Sequence, residues 1–339
     1  GGRIAVFYNE RDGFDVDQRI SAAGGTSGSN SGGAGTVYVE DRTSGERSLK
    51  VEGGGSSSPM TWVSDAAVDT LVVRSAALGV TGDVAVSSLT MSNLTLNVVG
   101  AVSAPTFDVQ GGEVSVSGLM SVPAVRVWNG TVRLQETLET EDVRLVNSTL
   151  TTFPGNTNGL RVLAETVSVD SHSSINVAGK GYPAGWTHPG TTNGASTGYS
   201  GGSYGGLGGA YSGTPNAIYG DYRDPNELGS GSGTSVGGGA GGGLVRIVAG
   251  ELVLDGTILA SASNMSYGAG SGGGVVRIEA AGNVRVDGAI RATGQDAQVN
   301  HGDGPGSGGS ILIVCNRFDG GGSGLLDAAG GNALLTSSV

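Results

Sequence analysis

Between residues 71 and 152 the apolar residues return every 18 positions, and that period restricts the chain to few architectures. Leu71, Leu89, Phe107, Val125 and Val143 form one series, and Val73, Met91, Val109, Val127 and Leu145 a second. A third runs Leu78, Leu96, Val114, Val132 and Leu150, a fourth Val80, Val98, Val116 and Leu134, and a fifth Val84, Val102, Met120 and Leu138. Inside each 18-mer apolar and polar residues alternate, as in a strand with one buried face. Strands this short cannot bury a face alone. Stacking equivalent strands in parallel solves the problem by turning each series into a continuous apolar column. Between the second and third series stands a column of Ser75, Asn93, Gly111, Asn129 and Asn147. Asn and Gly tolerate left-handed backbone angles, so this column predicts a turn repeated in register.

The period points to an all-β parallel β-solenoid. A left-handed hexapeptide helix also takes 18 residues per coil, but it wants a small aliphatic residue at every sixth position. Positions 72, 78, 84, 90, 96, 102 and 108 read Val, Leu, Val, Thr, Leu, Val and Asp, which breaks that rule. A right-handed parallel β-helix is therefore the expected fold.

A second repeat extends the same plan. "GGGLVRIVAGELVLDGTILASA" from Gly241 is followed by "GGGVVRIEAAGNVRVDGAIRATG" from Gly272. "RIAVFY", "TVYVED", "LRVLAE" and "SILIVC" supply related strands, expected to point inward through Ile4 and Val6, Val37 and Val39, Val245 and Ile247, Val276 and Ile278, and Leu312 and Val314. Asp255-Gly256 and Asp287-Gly288, with Asp170-Ser171 in register, make the corner between strands. The glycine runs precede each new rung, where the chain returns from a lateral excursion and needs close backbone approach. Runs such as residues 237–243 suit extended polyproline II segments lying side by side. The chain then divides into glycine-rich rungs over 1–70, regular coils over 71–158 and a rung over 159–180. A long Gly/Tyr-rich insertion follows over 181–243, and glycine-rich rungs return over 244–339.

Composition narrows the function. The 66 glycines of 339 residues would suggest disorder, but the strict alternation between glycine runs argues for an ordered chain. The net charge of −12, without a Lys/Arg cluster, speaks against nucleic acid as a partner. No apolar run approaches membrane-spanning length. The opening "GGRIAVFYNERD" is not a signal peptide and lacks an initiator Met, so the chain reads as a processed or excised piece. Cys315 stands alone, which excludes an internal disulfide. Sequons at Asn93, Asn129, Asn147 and Asn264 are glycosylation candidates and fit a secreted glycoprotein, although Asn, Ser and Thr are abundant enough to supply them by chance.

Pieces such as "GGRIAVFY…AGTVYVED", "GGAYSGTPNAIYGDYRDPNELGSGSG" and "GGSILIVCNRF" look like the glycine-rich β-helical repeats of very large secreted or cell-surface proteins. The resemblance covers residues 1–54 and 175–339 and implies an extracellular structural or adhesive role. That family often carries Ser-His-Gly-Gly where this chain has Ser203-Tyr204-Gly205-Gly206, which removes any His-dependent chemistry there.

Parallel β-helices also host polysaccharide lyases and hydrolases, which need clustered carboxylates on one face. Asp108, Arg126 and Arg144 make an outward column, and a solvated charge ladder is the simpler explanation for it. His172, His188 and His301 show no metal-ligand spacing. Asp221, Asp224, Asn226 and Glu227 form an oxygen-rich set suited to Ca²⁺, and an ordinary Asp-Pro-Asn turn explains them equally well. Otherwise no cofactor is expected. The insertion holds Tyr182, Tyr199, Tyr204, Tyr211, Tyr219 and Tyr222 together with Trp186. These aromatics either bind a ligand, surface glycans being one class, or glue a side-chain-poor loop onto the scaffold. The expected role is an extracellular structural or adhesive element, not an enzyme, that stacks end to end with itself or with adjoining repeats. The alternative is a carbohydrate-binding or polysaccharide-degrading β-helix.

Overall fold

The computed structural model describes residues 1–27, 30–234, 237–264, 268–297 and 303–333. They form an all-β protein whose strands pair mostly in parallel, in two compact units, Gly1–Thr149 and Leu150–Val339.

In the first unit the strands are β1 (Arg3–Tyr8), β2 (Thr36–Asp41), β3 (Arg47–Glu52), β4 (Thr61–Val63), β5 (Thr70–Arg74) and β6 (Ala77–Val80). Beyond them come β7 (Ser88–Val98), β8 (Phe107–Val116), β9 (Ala124–Leu134) and β10 (Asp142–Val146). The 18-residue period is the pairing register. Leu89 lies opposite Leu71, Met91 opposite Val109, Val109 opposite Val127, and Val127 opposite Leu145. Two-residue strands at Val84, Val102, Met120 and Leu138 pair at the same spacing. Every residue of the five apolar series is buried.

The turn column adopts the backbone its composition predicts. Ser75, Asn93, Asn129 and Asn147 have φ of 45, 49, 54 and 47°, and Gly111 has 80°. Asn147 Nδ2 donates to Asn129 Oδ1 at 2.7 Å, so consecutive 18-residue repeats are also tied side chain to side chain. Gly111 interrupts this ladder between Asn93 and Asn129. A Cβ added there would come no nearer than 3.8 Å to another atom, whereas one at Gly112 would stand 2.0 Å from the Leu94 carbonyl oxygen.

The start of the chain departs from the expected parallel rungs. β1 and β2 pair in parallel, Ile4 opposite Val37 and Val6 opposite Val39, but β2 and β3 form an antiparallel hairpin with Val37 opposite Lys50. The connection over residues 42–46 is too short for a parallel crossover, which takes a dozen residues or more. It closes instead as a tight turn, in which Thr43 and Ser44 N–H donate to Asp41 Oδ1 at 2.8 and 3.2 Å. Those bonds hold the Asp41 carboxyl below its usual range. A helical turn at Val16–Arg19, also unanticipated, sends Val16 into a small core with Val37 and Val39.

The second unit contains β11 (Leu160–Val169), β12 (Ser174–Asn176), β13 (Leu244–Leu254), β14 (Thr257–Leu259), β15 (Val275–Val286), β16 (Ala289–Arg291), β17 (Ser310–Asp319) and β18 (Leu325–Asp327). Here the lateral excursions vary in length while the rung does not. Val162, Ile247, Ile278 and Ile313 stand in one column, and Ile175, Ile258, Ile290 and Leu326 in another. The Asp-Gly corners stack as expected, Gly288 N–H donating to the Leu254 carbonyl at 3.0 Å.

One inward assignment is corrected. Leu312 and Val314 lie opposite Arg277 and Glu279 on the outward face, and Ile311, Ile313 and Cys315 take the inward positions. Residues 311–315 are apolar throughout, so alternation alone cannot decide which parity faces in.

The glycine runs lie outside any strand or helix, yet they hydrogen-bond to one another. Gly242 N–H donates to Gly272 O, Gly272 to Ser230 O, Gly202 to Gly270 O and Gly270 to Gly304 O, each at 2.9 Å. A Cβ at Gly242 would stand 1.9 Å from the Ala260 carbonyl oxygen. Any side chain there would push the segments apart.

Two comparisons test this packing. Val127→Asp places a charge in the column between Val109 and Leu145 and is expected to cost several kcal/mol, whereas Asn129→Ala, straining only a left-handed turn, costs about 1 kcal/mol. Equal shifts in urea midpoint would contradict the inward and outward assignment. At the neighbouring glycines, Gly111→Asn is expected to leave stability unchanged or raise it by up to about 1 kcal/mol by bridging the ladder. Gly112→Ala is expected to lower the thermal midpoint sharply.

Candidate functional site

The insertion over residues 181–243 has few side chains to pack, and its tyrosines supply most of what it buries. Tyr182, Tyr204 and Leu228 form one buried cluster with Leu244 and Val275 at the starts of β13 and β15, and Tyr219 packs against it. The Tyr204 and Tyr219 rings meet edge to face at 5.0 Å between centroids, a favoured aromatic geometry, and His188 stacks on Tyr219 at 5.3 Å.

The hydroxyls of Tyr204 and Tyr219 are both engaged. Tyr204 OH donates to Glu227 Oε2 at 3.0 Å, Tyr219 OH donates to the Leu228 carbonyl, and Ser230 Oγ donates to Tyr219 OH at 3.0 Å. Asn216, almost fully buried, organises the strap from the other side. Its Oδ1 accepts from Ser203 N–H at 2.8 Å and from Ser196 Oγ at 2.9 Å, while its Nδ2 donates to the Ala217 carbonyl at 2.9 Å. Asn216 went unnoticed in the sequence, where "TPNA" resembles any other polar turn.

The remaining aromatics lie elsewhere. Tyr199 and Tyr211 meet edge to face at 6.3 Å, Trp186 is exposed, and Tyr222 is 78% exposed with Arg223 over its ring. The seven aromatics singled out in the sequence are therefore not gathered into one surface. Tyr182, Tyr204 and Tyr219 anchor the loop; Trp186, Tyr211 and Tyr222 face solvent.

The oxygen-rich segment lies against an arginine column. Arg161, Arg246 and Arg277 occupy successive outward positions on β11, β13 and β15. Arg246 donates to Asn226 Oδ1 at 3.2 Å and to the Asn226 carbonyl at 3.3 Å, and Arg277 pairs with both Asp224 and Glu279. The Arg277 guanidinium holds the Asp224 carboxyl below its usual range. Burial, followed by the neighbouring Arg161 and Arg277 charges, lowers the Arg246 pKa. Asp221 Oδ1 accepts from Arg223 N–H, and Glu227 faces Tyr204. The four residues proposed for Ca²⁺ thus have guanidinium, backbone and phenol partners. Among the described residues no three His, Cys, Asp or Glu side chains are grouped to hold a metal ion.

In the regular coils Arg126 lies 3.9 Å from Asp108 and 3.8 Å from Asp142, and Arg133 lies 2.9 Å from Glu113. These pairs form a charge ladder across rungs. Asn93, Asn129 and Asn147 are exposed on the left-handed turns, and Asn264 is exposed beside residues outside the described set. His301 also lies outside the described residues. Among the described residues no helix is long and apolar enough to cross a membrane. No family model, curated protein or solved structure matches the chain.

The buried tyrosines make stability pH-dependent. Burial drives the Tyr182, Tyr204 and Tyr219 hydroxyls above the usual phenol range, and nearby Glu227 adds to the shift. A raised folded-state pKa stabilises the fold fully below the unfolded value of about 10, and that contribution is lost as pH rises beyond it. The thermal midpoint is expected to fall above about pH 10. In a titration at 295 nm, Tyr182, Tyr204 and Tyr219 should ionise only as the loop detaches. Ionisation of these three near pH 10 with the fold intact would contradict their burial.

Proposed function

We propose that each unit is a segment of right-handed parallel β-solenoid and that the chain serves as an extracellular structural or adhesive element. In this reading it stacks end to end with copies of itself or with adjoining repeats of the same kind. The observation that carries it is the in-register pairing of equivalent rungs, in which backbone and inward column are both completed by the next rung. Support comes from two edges. β2 lies along one side of β1 and β15 along one side of β17, with no strand on the other side of either among the described residues. Val276 and Ile278 are fully buried, whereas Ile311 and Ile313, one rung on, are half-buried and line an open apolar groove of about 590 Å³. An uncovered, apolar strand edge is a template for further pairing. The sequons and the resemblance to glycine-rich surface repeats support the extracellular setting. The polysaccharide-degrading alternative asks for carboxylates free to face a substrate, and Asp108, Glu113 and Asp142 stand instead beside arginines.

Electron microscopy and light scattering over a concentration series test the proposal. The expected outcome is concentration-dependent fibres or end-joined oligomers, abolished by Ile313→Lys. Particles that stay monomeric at every concentration would remove self-stacking. Release of oligosaccharides from acidic or neutral polysaccharides would overturn the non-enzymatic reading.

A further inference from the structure

In β4, Trp62 is 46% exposed, and neither its indole N–H nor its ring has a partner among the described residues. The reason for its pose lies one rung on. Trp62 pairs in register with Gly79 of β6, and a Cβ at Gly79 would stand 2.4, 2.5 and 2.6 Å from three atoms of the indole. The ring lies flat on the glycine backbone, so one face is covered and the other is presented outward.

The outward column continues from Gly79 to Asn97 of β7, Ser115 of β8 and Arg133 of β9. Asn97 and Ser115 are partly exposed, and neither side chain hydrogen-bonds to another described residue. Arg133 pairs with Glu113 in the adjacent outward column at 2.9 Å, and Thr95 and Thr131 flank that pair. At about 4.8 Å per rung, the strip from Trp62 to Arg133 runs about 19 Å.

From this placement we propose that Trp62, Asn97 and Ser115 form a binding platform for an extended, neutral glycan. The indole face takes the apolar C–H face of one pyranose ring, as large flat aromatic surfaces do where one side is dry and the rim is wet. Asn97 supplies both donors and an acceptor, and Ser115 supplies a hydroxyl, to ring hydroxyls further along the chain. The only charges on the strip cancel as the Glu113–Arg133 pair, which selects an uncharged glycan. The rigid parallel sheet holds these groups at fixed spacing, so little order has to be gained on binding. The platform goes beyond the scaffold role and does not depend on end-to-end stacking.

Titration calorimetry and tryptophan fluorescence with cellohexaose and xylohexaose, and with hexagalacturonate as the charged comparison, test the platform. Binding of at least one neutral hexaose is expected, with Trp62→Ala weakening it roughly tenfold or more and Asn97→Ala severalfold. Gly79→Ala should weaken it too while retaining the tryptophan, because the new methyl lifts the ring off the backbone. Trp186→Ala should change nothing. Circular dichroism and microscopy of the Trp62→Ala chain should match the unmodified chain, which separates loss of the platform from loss of the fold or of assembly. Absence of binding to both neutral hexaoses, unchanged affinity in Trp62→Ala, or tighter binding of hexagalacturonate would each overturn the proposal.

Discussion

The structure depends on parallel strands that pair in register with their own equivalents in the next repeat. A strand's N–H and C=O groups find partners mainly in the preceding and following repeats, so the chain must return to register before each new repeat begins. In the regular block that requirement fixes the side-chain columns and the corners together. Val109, Val127 and Leu145 stack because their backbones pair, and the backbones can pair because Asn93, Gly111, Asn129 and Asn147 reverse the chain at the same point. Ser75 holds the same left-handed angle without the side chain best suited to it.

The second unit meets the same requirement by different means. Its excursions differ in length, so the return to register falls to the glycine segments. They approach within distances that leave no room for a Cβ and bond backbone to backbone. What glycine gives in closeness it gives up in apolar contact. The long insertion recovers that contact with three tyrosines, and it recovers polar satisfaction with Asn216 and with Glu227 against Tyr204. The acidic turn over residues 221–227 fits the same scheme, because the column of Arg161, Arg246 and Arg277 would otherwise be a row of like charges one rung apart.

Function on such a scaffold falls to whatever the outward columns and edges present. Most outward positions in the regular coils are small, polar or charge-paired. Trp62 differs because the adjacent rung offers a glycine on which a large ring can lie flat. The apolar edge of β17 differs because, among the described residues, no further strand covers its inward residues as β17 itself covers Val276 and Ile278.

The inward columns, their parallel register and the left-handed turns were legible in the sequence alone, because each follows from a short local period and from the backbone preferences of Asn and Gly. The stacked Asp-Gly corners and the close packing of the glycine runs were legible for the same reason. Other features required the folded chain. The hairpin between β2 and β3 turned on the length of one connection. The inward parity of β17 turned on its pairing with β15, since residues 311–315 are apolar at every position. The seven insertion aromatics looked equivalent until three of them met Leu244 and Val275. The oxygen-rich turn read equally as a cation site or as an ordinary turn, and its contacts with Arg246 and Arg277 exist only in the folded chain. Trp62 escaped notice because its partner Gly79 sits one residue off the 18-residue period, so no column connects them. A local period determines which residues share a face; which distant segments meet across that face is decided only when the strands pair, and there the tertiary structure chose the partners.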